Sequence, residues 1–402
     1  MANNHVPLAK WTWKTGTPSA TRSATTLSEF LQQPDAWTGR LRVLSIPRDT
    51  GTPDIQPLLN SYLSRLHVPD EFLLERDQAV NHGFGTIADY GRQRHATWMR
   101  LVAKGISVER DPHGNPIAID TPVVSNAESR DRAWFSFAFV LLEETNGTDK
   151  QATLLCFDAP TQLHKDLNDL DVSDEQLNDA YFVFAIVLKA VWKTMDDDSW
   201  TLADVFRNIE KSTLERSASD KSVSQLVNFS ELHNISKHQI YMSEAFEAAQ
   251  LVANDLLQTY RDRFAATPPQ DARLTEQKLL HSARMFKASH LRLNSLEKRI
   301  SNITSLAFNI VTQEDSRSMH TIALITLVFL PSTLIATVFS SSFFDFTMAD
   351  DDNNETGVHL SSLFWIFWVI SIPITLVVVC LWWSLKWCSN RKKKKKRPFS
   401  TA

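Results

Sequence analysis

The chain has few cysteines and few glycines, and it has no apolar segment near its beginning. Its three cysteines are Cys156, Cys380 and Cys388, which are too scattered for a disulfide framework or a zinc site and fit a reducing cytoplasm. Ten glycines in 402 residues favour a largely helical chain. The lack of an early apolar run argues against a secretory signal peptide.

Catalytic and nucleotide-binding motifs are also missing from the sequence. We find no phosphate-binding loop, no nucleophile elbow and no His-Glu metal motif, so we predict that the protein is not an enzyme and has no cofactor. The 42 Lys and Arg residues stand against 46 Asp and Glu, and seven of the basic residues lie together in 391–397. The rest of the chain is therefore acidic, and we expect no nucleic-acid partner.

Two apolar runs near the end of the chain have the length of membrane spans. They cover residues 319–339 and 363–383, and at ~1.5 Å per residue each would extend roughly 31 Å, the thickness of a bilayer core. The second run has Trp365, Trp368, Trp382 and Trp383 near its two ends, as interfacial aromatic belts do. We therefore predict two transmembrane helices, at 319–343 and 363–385.

The first of these runs carries hydroxyl groups along one helical face. Thr326, Leu330, Thr333 and Thr337 are spaced by 4, 3 and 4 residues, so they share one helical face, which extends back through Ile322 and Met319. A narrow water-lined pore would use such a face, with the apolar residues as constrictions, and ordinary helix packing through Ser and Thr is the alternative. The candidate pore-lining residues, which we call the hydroxyl stripe, are Met319, Ile322, Thr326, Leu330, Thr333 and Thr337.

Helical heptads lead into the first run. Seven apolar residues from Phe286 to Ile310 follow a 7-3-4-3-4-3 spacing, which predicts a helix packed along a partner. Residues 270–330 contain no Pro or Gly, so one helix is predicted over 273–343, with Pro331 as a mild kink. A second heptad pattern, from Met242 to Leu256, predicts a helix that folds back antiparallel along it.

The first half of the chain has a mixed pattern. Short apolar runs at 41–46, 97–102, 134–142 and 153–157 read as strands, whereas 55–66 and 84–92 look helical or irregular. The apolar residues 181–192 predict a buried core helix, and the run Asp196, Asp197 and Asp198 after it reads as a helix start with an N-cap or as a cation site. Residues 1–28 read as a disordered arm or a transit peptide, and we favour the arm.

The predicted fold class is an α+β cytoplasmic domain followed by long helices and two C-terminal transmembrane helices. The predicted divisions are a disordered N-terminal arm (1–28), a cytoplasmic α/β domain (29–230), a long helical hairpin (231–318), a pore-lining span (319–343), an external acidic loop (344–362), a second span (363–385) and a cytoplasmic polybasic tail (386–402).

Residues 315–339, DSRSMHTIALITLVFLPSTLIATVF, resemble the first membrane segment of CorA-type magnesium channels, and most of all their divergent fungal relatives. FWIFW at 364–368, IPITL at 372–376 and DDDSW at 196–200 are similar to the same group. The resemblance implies a homopentamer whose first membrane helices line a central pore for a divalent cation, with Mg²⁺ as the transported ion and as a gating ligand. It gives no assignment of the gating metal residues in this chain.

The chain departs from this family at the outer end of the pore helix. The family has Gly-Met-Asn there, and this sequence has Ser340, Ser341 and Ser342. In the family the Asn amide meets a hydrated cation, and a ring of Ser hydroxyls would touch the same waters with a shorter reach. The serine ring is therefore the predicted selectivity ring.

Charged residues flank the two spans. Asp350, Asp351, Asp352 and Glu355 lie between them and would attract cations if several copies surrounded a pore entrance, whereas a simple hydrophilic turn is the alternative. The same loop has a glycosylation sequon at Asn354. The basic tail predicts cytoplasmic termini, with the plasma membrane favoured, and binding to anionic lipids. Its residues are Arg391, Lys392, Lys393, Lys394, Lys395, Lys396 and Arg397.

The sequence thus predicts a CorA-like divalent-cation channel or transporter. The alternative is a protein that has kept the scaffold and lost conduction, acting as a membrane-tethered scaffold or sensor. The substituted Ser340–Ser342 signature favours the alternative, and the hydroxyl stripe with the acidic loop opposes it.

Overall fold

The structure is a computed structural model with two compact units, Met1–Leu306 and Ala307–Ala402. It describes residues 7–32, 37–47, 55–77, 82–89, 91–119, 134–146, 149–218, 228–266, 269, 271–340 and 363–395.

A seven-stranded sheet forms the centre of the first unit. The strands of the first unit are β1 Pro7–Trp13, β2 Thr21–Thr26, β3 Leu41–Ile46, β4 Gly83–Asp89, β5 Arg94–Lys104, β6 Val108–Arg110, β7 Pro116–Ile119, β8 Trp134–Asn146 and β9 Asp149–Phe157. The order in the seven-stranded sheet is β2-β1-β3-β9-β8-β5-β4, and β3 and β9 pair in parallel while the other neighbours are antiparallel. The strands β6 and β7 form a separate hairpin.

Both faces of the sheet are covered by helices, which explains the unbroken apolar runs in its central strands. Leu44 and Ile46 of β3 pack with three short helices on one face. On the other face, Ser45 Oγ lies 2.8 Å from His164 Nε2 of α4. These helices are α1 Leu27–Gln32, α2 Ile55–Arg65, α3 Asp70–Asp77 and α4 Thr161–Asn168.

Four of the predicted strands are confirmed, since they lie within β3, β5, β8 and β9. The prediction of a disordered arm at 1–28 is wrong for residues 7–28, where β1 and β2 pair along their lengths and bury Leu8, Trp11 and Trp13. The helical or irregular reading of 84–92 is also wrong, because residues 83–89 form β4. Gly85 faces the Trp98 indole of β5, and a Cβ atom there would lie 2.1 Å from that ring.

Three long helices follow the sheet: α5 Phe182–Ala218, α6 Phe229–Phe264 and α7 Ala272–Phe339. Gln239 of α6 donates to the Leu293 carbonyl of α7, and Tyr260 donates to that of Ala272, so α6 runs antiparallel to α7 as predicted. The helix α5 runs parallel to α7. Trp192 of α5 donates a hydrogen bond to Ser289 of α7, and further along both helices Glu210 of α5 accepts one from Arg299 of α7. The heptad residues of α6 and α7 from 242 to 256 and from 286 to 307 are buried.

The second unit consists of the end of α7 and the helix α8 Leu363–Lys395. Both helices have an internal proline, Pro331 in α7 and Pro373 in α8, and both continue through it as membrane helices can. The predicted fold class, an α+β domain followed by long helices with apolar helices near the C-terminus, is confirmed.

Candidate functional site

The hydroxyl stripe lies on the uncovered face of α7 in a single chain. Its apolar members are strongly exposed, with Met319 at 70%, Ile322 at 63% and Leu330 at 67%. Its three threonines are exposed as well. The structure therefore brings all six predicted pore-lining residues together on one open helical face.

Two residues on the opposite side of α7 are buried, and α8 contacts α7 between them. Pro331 is buried, and Ile335 is 8% exposed. At ~100° per residue, Ile335 lies about half a turn from the centre of the hydroxyl stripe. From α8, Ser371 is 4% exposed and its Oγ donates to Ser332 Oγ at 3.3 Å. The packing within this unit therefore leaves the hydroxyl stripe for contacts with something other than α8.

Each threonine hydroxyl of the stripe donates its hydrogen to a backbone carbonyl of its own helix. Thr326 Oγ1 donates to the Ile322 carbonyl at 2.9 Å, and Thr333 and Thr337 donate to the carbonyls four residues earlier at 2.8 and 2.7 Å. Each hydroxyl has one hydrogen and two lone pairs. With the hydrogen used within the helix, the oxygen faces outward as an acceptor, which suits the outward-pointing hydrogens of a hydrated cation.

The C-terminal end of α7 is described up to Ser340. Its amide donates to the Ala336 carbonyl at 2.9 Å and its Oγ to that of Thr337 at 3.1 Å, so it closes the last helical turn. Ser341, Ser342, the acidic residues Asp350, Asp351, Asp352 and Glu355, and Asn354 lie outside the described residues. In the basic tail, residues 391–395 continue α8, and Lys396 and Arg397 lie outside the described part.

The acidic run at 196–198 does not begin a helix, so that prediction is wrong. It lies inside α5, where Asp196 forms an ion pair with Arg292 of α7 at 2.5 Å and accepts a hydrogen bond from Ser289 at 2.6 Å. Burial, with the negative charge of Asp197 second, raises the pKa of Asp198 to about 6. Within the described ranges, no group of three or more His, Cys, Asp and Glu side chains could hold a metal ion.

The end of α7 has the properties of a membrane span. The stretch is long and apolar enough to cross a bilayer, and only 6% of its most apolar part is buried, which separates it from the buried core helix of a soluble protein. In α8 a shorter apolar stretch covers Trp368–Ser384.

Comparison with known families identifies the chain. A family profile described as "CorA-like Mg2+ transporter protein" matches residues 153–386, which is more than half of the sequence. The chain belongs to the CorA-like Mg²⁺ transporter family. CorA-like proteins are integral membrane proteins, and the apolar stretches of α7 and α8 are the candidate membrane helices of this chain. The resemblance of residues 315–339 to this family is confirmed.

Individual relatives agree with this membership. The "Notoamide biosynthesis cluster protein M'" of Aspergillus versicolor is 25% identical over 364 residues, covering 81% of this chain and 75% of the relative. The solved structure of the full-length CmaX protein matches with a TM-score of 0.57 and 14% identity, over 96% of this chain and 99% of CmaX. The CorA magnesium transporter from Methanocaldococcus jannaschii matches with a TM-score of 0.54 and 11% identity, over 94% and 96%. At these identities the two structures establish the CorA-like fold.

Sequence reasoning missed two polar contacts between helices. Ser332 and Ser371 lie in apolar runs that were analysed only for length and for the hydroxyl stripe. Their neighbouring prolines, Pro331 and Pro373, were the one local signal of a special position. The Asp196–Arg292 pair had no local signal, because its partners are 96 residues apart.

Proposed function

We propose that this CorA-like chain forms a homopentameric channel for divalent cations, most simply Mg²⁺, through a pore lined by the hydroxyl stripe of five α7 helices. The observation that carries the proposal is the row of exposed threonine acceptors on α7, on the side away from the buried residues Pro331 and Ile335.

The chemistry of the stripe favours cations that keep their water. Mg²⁺ gives up its inner waters reluctantly, and those waters donate hydrogen bonds outward. Threonine oxygens whose hydrogens are bonded within the helix can accept from such waters and offer nothing to an anion. Leu330 and Ile322 would form apolar constrictions between the polar rings.

The remaining parts of the path are assigned from the sequence. Asp350, Asp351, Asp352 and Glu355 would concentrate cations at the outer mouth, and Ser340, Ser341 and Ser342 would form the ring through which they enter. The basic residues 391–397 would hold the C-terminus in the cytoplasm against anionic lipid headgroups, with the large N-terminal domain on the same side. We assign the protein to the plasma membrane, with Asn354 on the outer side.

The test is cation flux into liposomes that contain the purified protein, with Mg²⁺, Co²⁺, Ni²⁺ and Zn²⁺ compared. Replacing Thr326→Val together with Thr333→Val removes two acceptors per chain and keeps the side-chain shape. We expect flux to fall on the order of tenfold or more, which corresponds to ~1.4 kcal/mol on the barrier. The matched control is Thr321→Val with Thr375→Val, which removes two hydroxyls away from the stripe and should leave flux unchanged.

The second candidate function is a non-conducting membrane-tethered scaffold or sensor with the same fold. The substitution of Ser340, Ser341 and Ser342 for the family's Gly-Met-Asn favours it. If pentameric protein passes none of the four ions, the scaffold function replaces the channel. If the stripe variant and the control conduct equally, a pore lies elsewhere and the hydroxyl stripe is a packing surface.

A further inference from the structure

The contact between Ser332 and Ser371 is a polar link between the apolar stretches of α7 and α8. Ser371 is the one polar side chain of the second unit that is buried among its described residues. Its Oγ donates to Ser332 Oγ at 3.3 Å. We call this hydrogen bond the serine contact.

The serine contact lies beside the proline of each helix. Pro331 directly precedes Ser332, and Pro373 follows Ser371 by two residues. A proline has no amide hydrogen, so Leu327 in α7 and Val369 in α8 each lose the usual donor to their carbonyl. Both helices are therefore less stiffly held at the level where the serine contact joins them.

Apolar packing alone sets a helix rotation weakly in a bilayer. Lipid tails are as apolar as the side chains, so rotating α7 against α8 costs little hydrophobic energy. A hydrogen bond is directional and would be broken by such a rotation. Ser332 lies about a third of a turn from the centre of the hydroxyl stripe, so the rotation that keeps the serine contact also keeps the stripe turned away from α8.

We propose that the serine contact sets the rotation of the pore helix, which makes Ser332 and Ser371 positioning residues for the hydroxyl stripe. This inference rests on the proposed pore. It assigns a role to two side chains that do not touch the cation and that act through Thr326, Thr333 and Thr337.

The experiment measures which face of α7 is in contact with water in the intact protein in liposomes. Thr333→Cys places a thiol on the stripe, and Leu334→Cys places one about 100° away. Cys380→Ser and Cys388→Ser remove two native thiols. Cys156 remains, and it is fully buried, which raises the pKa of its thiol far above the usual range and keeps it unreactive. The readout is the ratio of the labelling rates of the two positions with a charged thiol reagent.

We expect position 333 to be labelled faster than position 334 while both serines are present. Ser371→Ala should lower that ratio by about threefold or more, the size expected for one interhelical hydrogen bond. Ser332→Ala should lower it equally, the two changes together should lower it no further, and Ser371→Thr should restore it. The control is Thr375→Val, which should leave the ratio unchanged because the Thr375 hydroxyl donates to the Ser371 carbonyl of its own helix.

The outcomes separate this inference from the proposed function. A ratio that stays high in both Ala variants would leave the pore in place and overturn the positioning role. A ratio near one with both serines present would show that water does not prefer the stripe face of α7. That result would overturn both the proposed pore lining and the positioning role. A loss of folded protein without a change in the ratio would also count against positioning, since it would show that the contact only stabilises the helix pair.

Discussion

Gly85 shows how one residue can decide a local structure. It lies in β4 opposite Trp98 of β5, and a Cβ atom at position 85 would be 2.1 Å from the indole ring. Trp98 is 4% exposed and belongs to the hydrophobic core on one face of the sheet. A side chain at position 85 would therefore have to displace a buried tryptophan.

We expect Gly85→Ala to destabilise the folded protein by about 2–3 kcal/mol through overpacking. The measurement is thermal unfolding of the detergent-solubilised protein. Gly83→Ala in the same strand is the matched control, because its new Cβ would meet only the end of the flexible Glu75 side chain, at 2.7 Å. Equal losses from the two variants would show that strand propensity, rather than the Trp98 contact, sets the cost.

At the scale of the element, the helices were predictable and the weaker strands were not. Heptad spacing is a local signal, so the buried faces of α6 and α7 could be read from the sequence. The strands β1 and β2 lie in a Ser- and Thr-rich segment, and the buried Trp11 packs against α4, where its Nε1 donates to Asn168 at 2.9 Å. In β4, Gly83 and Gly85 weaken the usual strand pattern, and the fit to Trp98 supplies the reason for Gly85.

The same contrast applies to the candidate site. The hydroxyl stripe follows from helical spacing alone, so all six residues could be named before the structure was known. The serine contact and the Asp196–Arg292 pair depend on which helices become neighbours. No periodicity within one segment carries that information.

The Asp196–Arg292 pair offers a test of how α5 is held to α7. Asp196 is 7% exposed, and Arg292 also donates to Ser199 at 2.5 Å and stacks on Trp200 at 4.3 Å. Asp196→Ala would leave the guanidinium and the Ser289 hydroxyl without their carboxylate. We expect a loss of about 3 kcal/mol in the free energy of unfolding, as for other broken buried ion pairs.

The control for that variant is Glu210→Gln, which weakens the pair with Arg299 between the same two helices. Arg299 is 45% exposed, and we expect a loss of at most about 1 kcal/mol. Denaturant unfolding of both variants, at one protein and detergent concentration, gives the comparison. A small loss for Asp196→Ala would mean that Arg292 finds sufficient compensation in Ser199, Trp200 and water.

A pore lined by the hydroxyl stripe would need several copies of the whole molecule. One copy of α7 presents a row of acceptors, whereas several copies around an axis would enclose them. For the homopentamer that we propose, the native mass in detergent should be five times that of the 45.7 kDa chain.

The acidic loop gives the last prediction, because repetition would multiply its charge around the outer mouth. Changing Asp350→Asn, Asp351→Asn and Asp352→Asn together should reduce Mg²⁺ flux several-fold at low ionic strength by weakening the field that concentrates cations. At ~0.01 M salt the Debye length is ~30 Å, and at ~1 M it is ~3 Å. The difference from the unaltered protein should therefore shrink towards zero at high salt.

The control for the loop removes three charges elsewhere, with Asp70→Asn, Glu71→Gln and Glu247→Gln at exposed positions of the first unit. It should leave flux at low salt unchanged, since these groups lie outside the spans and the loop between them. If both triple variants reduce flux equally, net charge acts on the whole protein and the loop has no special place at the mouth. If the loop variant loses flux equally at low and high salt, its carboxylates act by direct contact with the cation rather than by long-range attraction, because only the latter is screened.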